Sequence, residues 1–111
     1  MKKEYRIKKS SEIQKLIRKR KTVGNSYFIL YYNKNHEIDN FRYALSVPKK
    51  YGNAVHRNLM KRRLREIIKV NNIEKTNDFF VVVKPKAKEL GFIQIKDLVE
   101  KLFAKAKILG E

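Results

Sequence analysis

The chain has 111 residues, of which 28 are lysine or arginine and 11 are aspartate or glutamate, giving a formal net charge of +17. It has no cysteine, which excludes disulfides and thiolate-bound zinc, and its two histidines are too few for a zinc centre without carboxylate help. No apolar run approaches the roughly 20 residues of a membrane span, and no apolar stretch follows the charged start as in a secretory signal. Composition therefore predicts one cytoplasmic domain over residues 1–111 that binds a polyanion, with no metal, cofactor, membrane or small-molecule substrate.

The positive charge is concentrated in two windows of the sequence. Residues 1–21 carry a net charge of +8 and residues 49–69 a net charge of +7, whereas residues 22–48 are neutral overall. Clustering of this kind is typical of a nucleic-acid-binding surface. The alternatives are a generally basic, solvated surface and an anionic lipid surface, although neither window has the apolar face that inserts into a membrane.

Six regular elements are predicted from capping residues and periodicity. In chain order they are a helix capped by Ser10 or Ser11 and ending near Arg20, strands over 26–32 and 41–47 separated by a polar loop, a helix from Ala54 to about Asn71, a strand over 78–83, and a helix from Ile93 to about Ile108. The continuous apolar run at 78–83 indicates a central or parallel strand that is buried on both faces. We therefore expect an α/β (α+β) fold, a small sheet packed with a long basic helix and a C-terminal helix.

The first two predicted strands suggest a shallow trough on one face of the sheet. The side chains that would line it are small, polar or aromatic: Arg42, Ala44 and Ser46 on the second strand, and Tyr27, Ile29 and Tyr31 on the first. If these two strands lie side by side, aromatic rings stand beside a cation, an arrangement that suits unpaired nucleotides. The alternative is that the tyrosines are ordinary half-buried sheet residues, since strands favour tyrosine anyway.

The helix predicted from Ala54 separates apolar and basic side chains on a helical wheel. The apolar arc holds Leu59, Met60, Leu64, Ile67, Ile68 and Val70, and the opposite arc holds Arg57, Asn58, Lys61, Arg62, Arg65 and Lys69. Arg63 falls on the apolar side and is expected to reach solvent from its edge. One interpretation of the basic arc is a solvated helix face whose cations form ion pairs, but only Glu66 could supply such pairs along this helix. Phosphate binding is therefore the stronger interpretation.

Residues 49–66 resemble a specific signature, that of the protein subunit of bacterial ribonuclease P. The matching positions are Lys49, Lys50, Gly52, Asn53, Ala54, Val55, Arg57, Asn58, Lys61, Arg62 and Arg65. The resemblance extends to Arg6 with Lys8 and Lys9, to residues 28–31 and to residues 45–47. It implies a fold like the second domain of ribosomal protein S5, with a left-handed βαβ crossover, an exception to the usual hand.

The resemblance also implies a function and two sets of site residues. The protein would bind the catalytic RNA subunit of ribonuclease P and the 5′ leader of precursor tRNA, while the RNA performs the magnesium-dependent hydrolysis. The implied RNA-binding set is Lys49, Lys50, Asn53, Arg57, Asn58, Lys61, Arg62 and Arg65. The implied leader-binding cleft contains Arg6, Ile13, Ile17, Ile29, Tyr31, Arg42 and Ser46, with isoleucines at 13 and 17 where many relatives have aromatic rings. We expect these two sets to form separate surfaces.

No catalytic residue is expected in the protein itself. The acidic residues form no tight cluster for two-metal chemistry, and the magnesium that the holoenzyme requires is therefore not expected to bind the protein alone. His36 falls in a polar loop and His56 at a variable position of the signature, so neither is a good candidate for a general base. The competing functions are a plain RNA-binding module, such as a ribosomal protein, and a DNA-binding helix domain, which would need more base-reading side chains than one amide.

Overall fold

The computed structural model describes residues 5–110 and confirms the α/β fold class. Three α-helices and four strands are present in this part of the chain. They are α1 (Ser10–Arg18), β1 (Thr22–Gly24), β2 (Phe28–Lys34), β3 (Arg42–Ser46), α2 (Ala54–Val70), β4 (Asn77–Val83) and α3 (Phe92–Ala106). Short 3₁₀ segments at Lys49–Tyr51 and Pro85–Glu89 lead into α2 and α3. None of the helices within residues 5–110 is long and apolar enough to cross a membrane.

The sheet has the strand order β1-β2-β4-β3, so β4 lies between β2 and β3. β4 pairs antiparallel with β2 and parallel with β3, and α2 connects the two parallel neighbours. Six of the seven β4 residues are buried, because helices cover both faces of this strand. The prediction that the apolar run forms a central or parallel strand is confirmed, since β4 is central and has one parallel and one antiparallel neighbour.

One face of the sheet packs on α2 and α3 and forms the main core. Phe79 of β4 is fully buried there, with its ring centroid 5.9 Å from Tyr43 of β3 and 5.7 Å from Phe103 of α3. Both helices bury one apolar stripe against this face, at Met60, Leu64, Ile67 and Ile68 on α2 and at Ile95, Val99, Leu102, Phe103 and Ala106 on α3. Burial of each such large side chain contributes about 1.5–3 kcal/mol before the entropy of ordering is subtracted.

The opposite face of the sheet carries a much smaller cluster beneath α1. Its buried members are Ile7, Leu16 and Phe80, and the partly buried Ile13, Ile17, Tyr31, Ala44 and Val82 pack around them. α1 has only nine residues, too few for a helix that is stable in isolation. Its helical structure therefore depends on docking against the sheet.

The beginning of the chain differs from the sequence-based expectation in two ways. Neither Ser10 nor Ser11 caps α1, since both lie inside the helix and the N-cap residue, Lys9, makes no side-chain cap bond. The helix also ends at Arg18, and Arg20 adopts a left-handed conformation with φ 55°. The segment that leads into α1 is positioned by β3 instead of by a cap. The Ile7 N–H donates to the Tyr43 carbonyl (2.9 Å), and Arg6 forms a parallel bridge with Tyr43.

The segment after α1, for which no regular element was predicted, contains the edge strand β1. Val23 pairs antiparallel with Leu30 of β2. Three residues are too short to show an alternating pattern, so no periodicity could have revealed this strand. β2 itself begins later than predicted, because the Asn25 side chain accepts from the backbone N–H groups of Tyr27 and Phe28 (both 2.8 Å) and closes a turn there. It also continues to Lys34, into the segment predicted as a loop.

Candidate RNA-binding surfaces

The polar side of α2 consists of two rows of side chains with different exposure. The inner row, Arg57, Lys61 and Arg65, is half-buried and follows the i, i+4, i+8 spacing of one helix ridge. The outer row, Asn58, Arg62 and Lys69, is exposed. All of these residues lie away from the main core, as the helical wheel predicted, and they present five cations and one amide.

The apolar arc of α2 is narrower than the wheel predicted. Leu59 is 39% exposed and Val70 is 58% exposed, so both lie outside the core. α2 meets the sheet along one stripe, and residues on the flank of that stripe reach solvent even when they are apolar. Arg63, on the same flank, is half-buried near Tyr51, as expected for a side chain that reaches solvent from the edge.

The segment before α2 is anchored so that its cations face solvent. Lys49 and Lys50 are exposed, whereas the next residue, Tyr51, is buried, and burial raises the pKa of its phenol, with Arg63 acting in the opposite direction. Asn53 caps the helix, its Oδ1 accepting from the His56 N–H at 3.0 Å. At Gly52 a Cβ would lie 3.2 Å from the His56 Cβ, so glycine allows this close approach.

A cavity of about 220 Å³ joins the inner row of α2 to the residues predicted for the leader cleft. It lies at the outer edge of β3, where the segment around Arg6 and Ile7 approaches α2. The cavity is lined by Arg6, Ile7, Ile13, Tyr43, Ala44, Leu45, Lys61 and Arg65. The expectation of two separate surfaces is therefore wrong, because Lys61 and Arg65 face the same space as Arg6 and Ile13.

Three polar atoms, two of them on residues that line this cavity, are buried without a hydrogen-bond partner among the described residues. They are the Nε atoms of Arg57 and Arg65 and the hydroxyl of Tyr43. Buried donors are nearly always satisfied in folded proteins, so a group of unsatisfied ones marks a place where a ligand or water completes the bonding. Phosphate oxygens are suitable acceptors for arginine donors.

The trough predicted between the first two strands exists in a different form. β2 and β3 are not neighbours, since β4 lies between them and contributes Phe80 and Val82 to the same face. Tyr31 stacks on Phe80, with ring centroids 6.0 Å apart, and Ala44 pairs with Phe80 from the other side. Sequence alternation assigned the faces correctly but could not show which strands are adjacent.

The remaining predicted cleft residues separate into three groups. Ile29 and Ser46 lie half-buried on the cleft face, opposite Val82 in the strand register. Ile13 and Ile17 are half-buried on α1 and pack against the small cluster, so they lie between cleft and core. Tyr27, which the trough included, packs instead against the main core, with the Lys86 ammonium 5.5 Å from its ring centroid.

Arg42 is held by two carboxylates. Its Nε and Nη2 donate to the two Asp78 oxygens at 3.0 and 2.9 Å, and its Nη1 lies 2.9 Å from Glu12 Oε2 on α1. The hydrogen bonds that Arg42 donates to Asp78, followed by the charges of Asp78 and Glu12, raise the pKa of Arg42 despite partial burial. Most of the guanidinium is thus engaged in the protein, and the role of Arg42 in nucleotide contact stays a prediction.

Sequence reasoning missed the partners of Arg42 and the floor of the cleft. Asp78 is only 7% exposed, and a carboxylate inside a strand that is otherwise largely apolar is a signal for a buried ion pair. Phe80 was assigned to the core strand, and its contact with Tyr31 on the cleft face was not predicted.

Within residues 5–110, no three histidine, aspartate or glutamate side chains are grouped so that they could hold a metal ion. His36 and His56 are both exposed, and the His56 ring contacts only Asn53 Oδ1 (2.9 Å) among described hydrogen-bond partners.

Comparison with known proteins gives a consistent result across the whole chain. The Ribonuclease P family profile matches residues 1–107. The ribonuclease P protein component of Phytoplasma australiense is 47% identical over 111 residues, covering 98% of this chain and 96% of its own. A solved Staphylococcus aureus RNase P protein, a mutant described as defective in mRNA degradation activity, superposes with a TM-score of 0.90 at 40% identity, covering 96% of this chain and 92% of its own. The Thermotoga maritima RNase P protein superposes with a TM-score of 0.81 at 28% identity, covering 95% and 98%.

The structural and sequence matches cover the same elements that carry the two surfaces, from Arg6 through α1, the sheet and α2 to α3. The chain belongs to the ribonuclease P protein family.

Proposed function

We propose that this protein is the protein subunit of a ribonuclease P holoenzyme in the cytoplasm, binding both the catalytic RNA subunit and the 5′ leader of precursor tRNA. The observation that carries the proposal is the cavity shared by Lys61, Arg65, Arg6 and Ile13. It makes the basic helix and the sheet face one continuous surface, on which phosphates and unpaired bases of one strand can be bound together.

The outer row of α2 is suited to the catalytic RNA. Asn58, Arg62 and Lys69 are exposed along one ridge, and Lys49 and Lys50 extend the positive surface beyond the helix start. Contacts between such cations and phosphates release counterions, which gives strong but sequence-independent binding. A large structured RNA offers many phosphates at the spacing of such a ridge.

The cleft face is suited to a single-stranded leader. The Tyr31 ring is half-buried and packs on Phe80, which fixes its orientation and leaves part of its surface open for a base. Ile13 and Ile17 provide apolar contact from α1 without stacking rings. The inner-row cations would neutralise the leader phosphates along the edge of the same cleft.

We assign the hydrolysis to the RNA subunit and its magnesium ions. Cleavage of RNA by the protein would need a positioned base and a group that stabilises the developing charge. His36 and His56 are exposed, and neither has a carboxylate among its described partners. A direct test that includes mRNA is relevant because one similar protein is a mutant described as defective in mRNA degradation activity.

The experiment compares the protein alone with the reconstituted holoenzyme. Protein freed of RNA should cleave neither precursor tRNA nor an mRNA fragment, and addition of the RNA subunit should give cleavage at the mature 5′ end at near-physiological magnesium. A sample of the RNA subunit without protein serves as the control. Robust cleavage by RNA-free protein, retained through denaturation and refolding, would contradict the assignment of chemistry to the RNA.

A further inference from the structure

α1 is the least anchored regular element that faces the cleft. It is nine residues long, lacks a side-chain N-cap, and packs through a cluster with only three buried members. Such elements open locally at a lower free energy than the rest of a fold. The position of α1 nevertheless decides how far Ile13 and Ile17 stand from Tyr31, and therefore the width of the cleft.

The contact between Glu12 and Arg42 is the one ion pair that joins α1 to the sheet among residues 5–110. Glu12 Oε2 lies 2.9 Å from Arg42 Nη1, and the other side of the guanidinium binds both oxygens of Asp78. Asp78 also accepts from the Asn35 side chain at 3.1 Å. The network therefore connects α1, β3, β4 and the loop after β2.

The two sides of α1 have different surroundings. Glu12 faces a polar cavity of about 510 Å³ together with Arg42 and Asp78. Ile13 faces the smaller cavity that contains Lys61 and Arg65. α1 thus contributes to both cavities, with Glu12 at the one that contains the ion pair and Ile13 at the one that contains Lys61 and Arg65.

We propose that Glu12 and Arg42 form a clasp that positions α1 against the sheet and so sets the width of the leader cleft. The proposal rests on the proposed function for its link to the leader. Arg42 already neutralises the buried Asp78, so the contact from Glu12, a side chain that is 33% exposed, is not needed to satisfy a buried charge. The contact between Glu12 and Arg42 instead fixes the position of α1 relative to the sheet.

The test uses Glu12→Gln, with Asp97→Asn as the matched control. Both substitutions remove one negative charge from a helix and break an ion pair, but Asp97 pairs with Lys101 on the exposed side of α3 and has no described contact with α1. In the holoenzyme, Glu12→Gln should lower the ratio of precursor to mature tRNA affinity by up to about fivefold, the upper limit for a partly exposed ion pair. Asp97→Asn should leave the ratio unchanged.

Native-state hydrogen exchange of the protein supplies a second readout, which does not depend on the leader. Glu12→Gln should accelerate exchange of the α1 amides while those of α2 and α3 keep their protection. Unchanged α1 exchange would overturn the clasp. Equal acceleration throughout the fold would show a merely structural ion pair and would overturn the positioning role.

A double-mutant cycle separates the clasp from the interaction of Glu12 with the N-terminal helix dipole of α1. Arg42→Lys keeps the positive charge, but one ammonium cannot reproduce the three contacts of the guanidinium. In the Arg42→Lys background, Glu12→Gln should have less effect on α1 exchange and on the affinity ratio than in the wild type. Strictly additive effects would contradict the proposal.

The two readouts also distinguish failure of this inference from failure of the proposed function. A wild-type holoenzyme that does not prefer precursor over mature tRNA would contradict leader binding, whereas α1 exchange would still decide whether the clasp holds the helix. Faster α1 exchange with an unchanged affinity ratio, in a holoenzyme that does discriminate, would overturn the claim that the clasp sets the cleft.

Discussion

The two faces of the sheet carry different kinds of packing. The face toward α2 and α3 forms a continuous apolar core, in which Phe79 is fully buried between Tyr43 and Phe103. The face toward α1 buries three residues and leaves Tyr31, Ala44 and Ser46 half-exposed. Stability is concentrated on one face and the residues proposed to bind the leader lie on the other, so substitutions on the two faces should produce different losses.

The largest expected effect separates two consecutive residues of β4. Phe79→Ala should destabilise the fold by about 3–5 kcal/mol, because it opens a cavity in the main core. Phe80→Ala should cost less than Phe79→Ala, since its cluster has only three buried members and the cost of a cavity depends on how well the site can collapse. Urea unfolding of the free protein measures both values, and equal losses would show that the two faces do not differ as described.

A smaller effect is expected on the binding face. Tyr31→Ala should weaken precursor tRNA binding by about 1 kcal/mol, the lower end of the range for one base stacked on an aromatic ring, because isoleucines stand at 13 and 17. Binding of mature tRNA should hardly change. Filter binding to the reconstituted holoenzyme gives both affinities, and a holoenzyme assembly titration verifies that the RNA subunit is still bound.

The two rows of α2 extend the comparison to the basic helix. Lys61→Ala, in the inner row, should reduce the salt dependence of precursor binding by about one counterion, and Arg62→Ala, in the outer row, should do the same for assembly with the RNA subunit. Each should leave stability within about 0.5 kcal/mol, because neither side chain fills the core. If both variants weaken assembly with the RNA subunit equally and neither changes the binding of precursor tRNA through its leader, the inner row does not belong to the cleft.

The smallest effect concerns the polar end of the sheet, where Glu74 joins the end of β2 to the turn before β4. A hydrogen bond from the Thr76 hydroxyl, followed by one from Lys34, lowers the pKa of Glu74 from 4.5 to about 2. A carboxyl whose pKa is lower in the folded than in the unfolded protein stabilises the fold at pH values above its ordinary pKa. For Glu74 that contribution is lost as the pH falls from 4.5 toward 2.

Glu74→Gln should therefore reduce the stability of the fold at neutral pH, and the loss of stability between pH 4.5 and about pH 2 should be smaller than in the wild type. Glu89→Gln, at an exposed carboxylate of the 3₁₀ segment before α3, is the control and should leave the pH profile unchanged. Thermal unfolding measured at a series of pH values tests this, and parallel profiles for wild type and Glu74→Gln would show that Glu74 does not contribute in this way.

Local sequence patterns predicted the features that depend on local physics. Alternation assigned the faces of β3, the continuous apolar run identified β4 as central, and the 3.6-residue period separated the basic and apolar sides of α2. The signature in residues 49–66 indicated the family, which the comparisons confirm.

Features that depend on long-range pairing could not be predicted. The place of β4 between β2 and β3 is set by packing across the whole sheet, and β1 is a strand only because β2 lies beside it. The position of the segment before α1 depends on the hydrogen bond from the Ile7 N–H to the carbonyl of Tyr43, far along the sequence. The junction of Lys61 and Arg65 with Arg6 is of the same kind, which explains why the two candidate surfaces were expected to be separate.

The central claim is that the cleft face and the inner row of α2 together bind the leader. The most direct measurement is the ratio of precursor to mature tRNA affinity, taken in the reconstituted holoenzyme while the leader is shortened one nucleotide at a time. For the wild type, the ratio should fall stepwise to one as the leader is shortened. In Tyr31→Ala and Lys61→Ala, some of these decreases should be missing, whereas Arg62→Ala should show all of them. If Tyr31→Ala and Lys61→Ala instead lower the affinities for precursor and mature tRNA equally at every leader length, the leader does not bind on this surface.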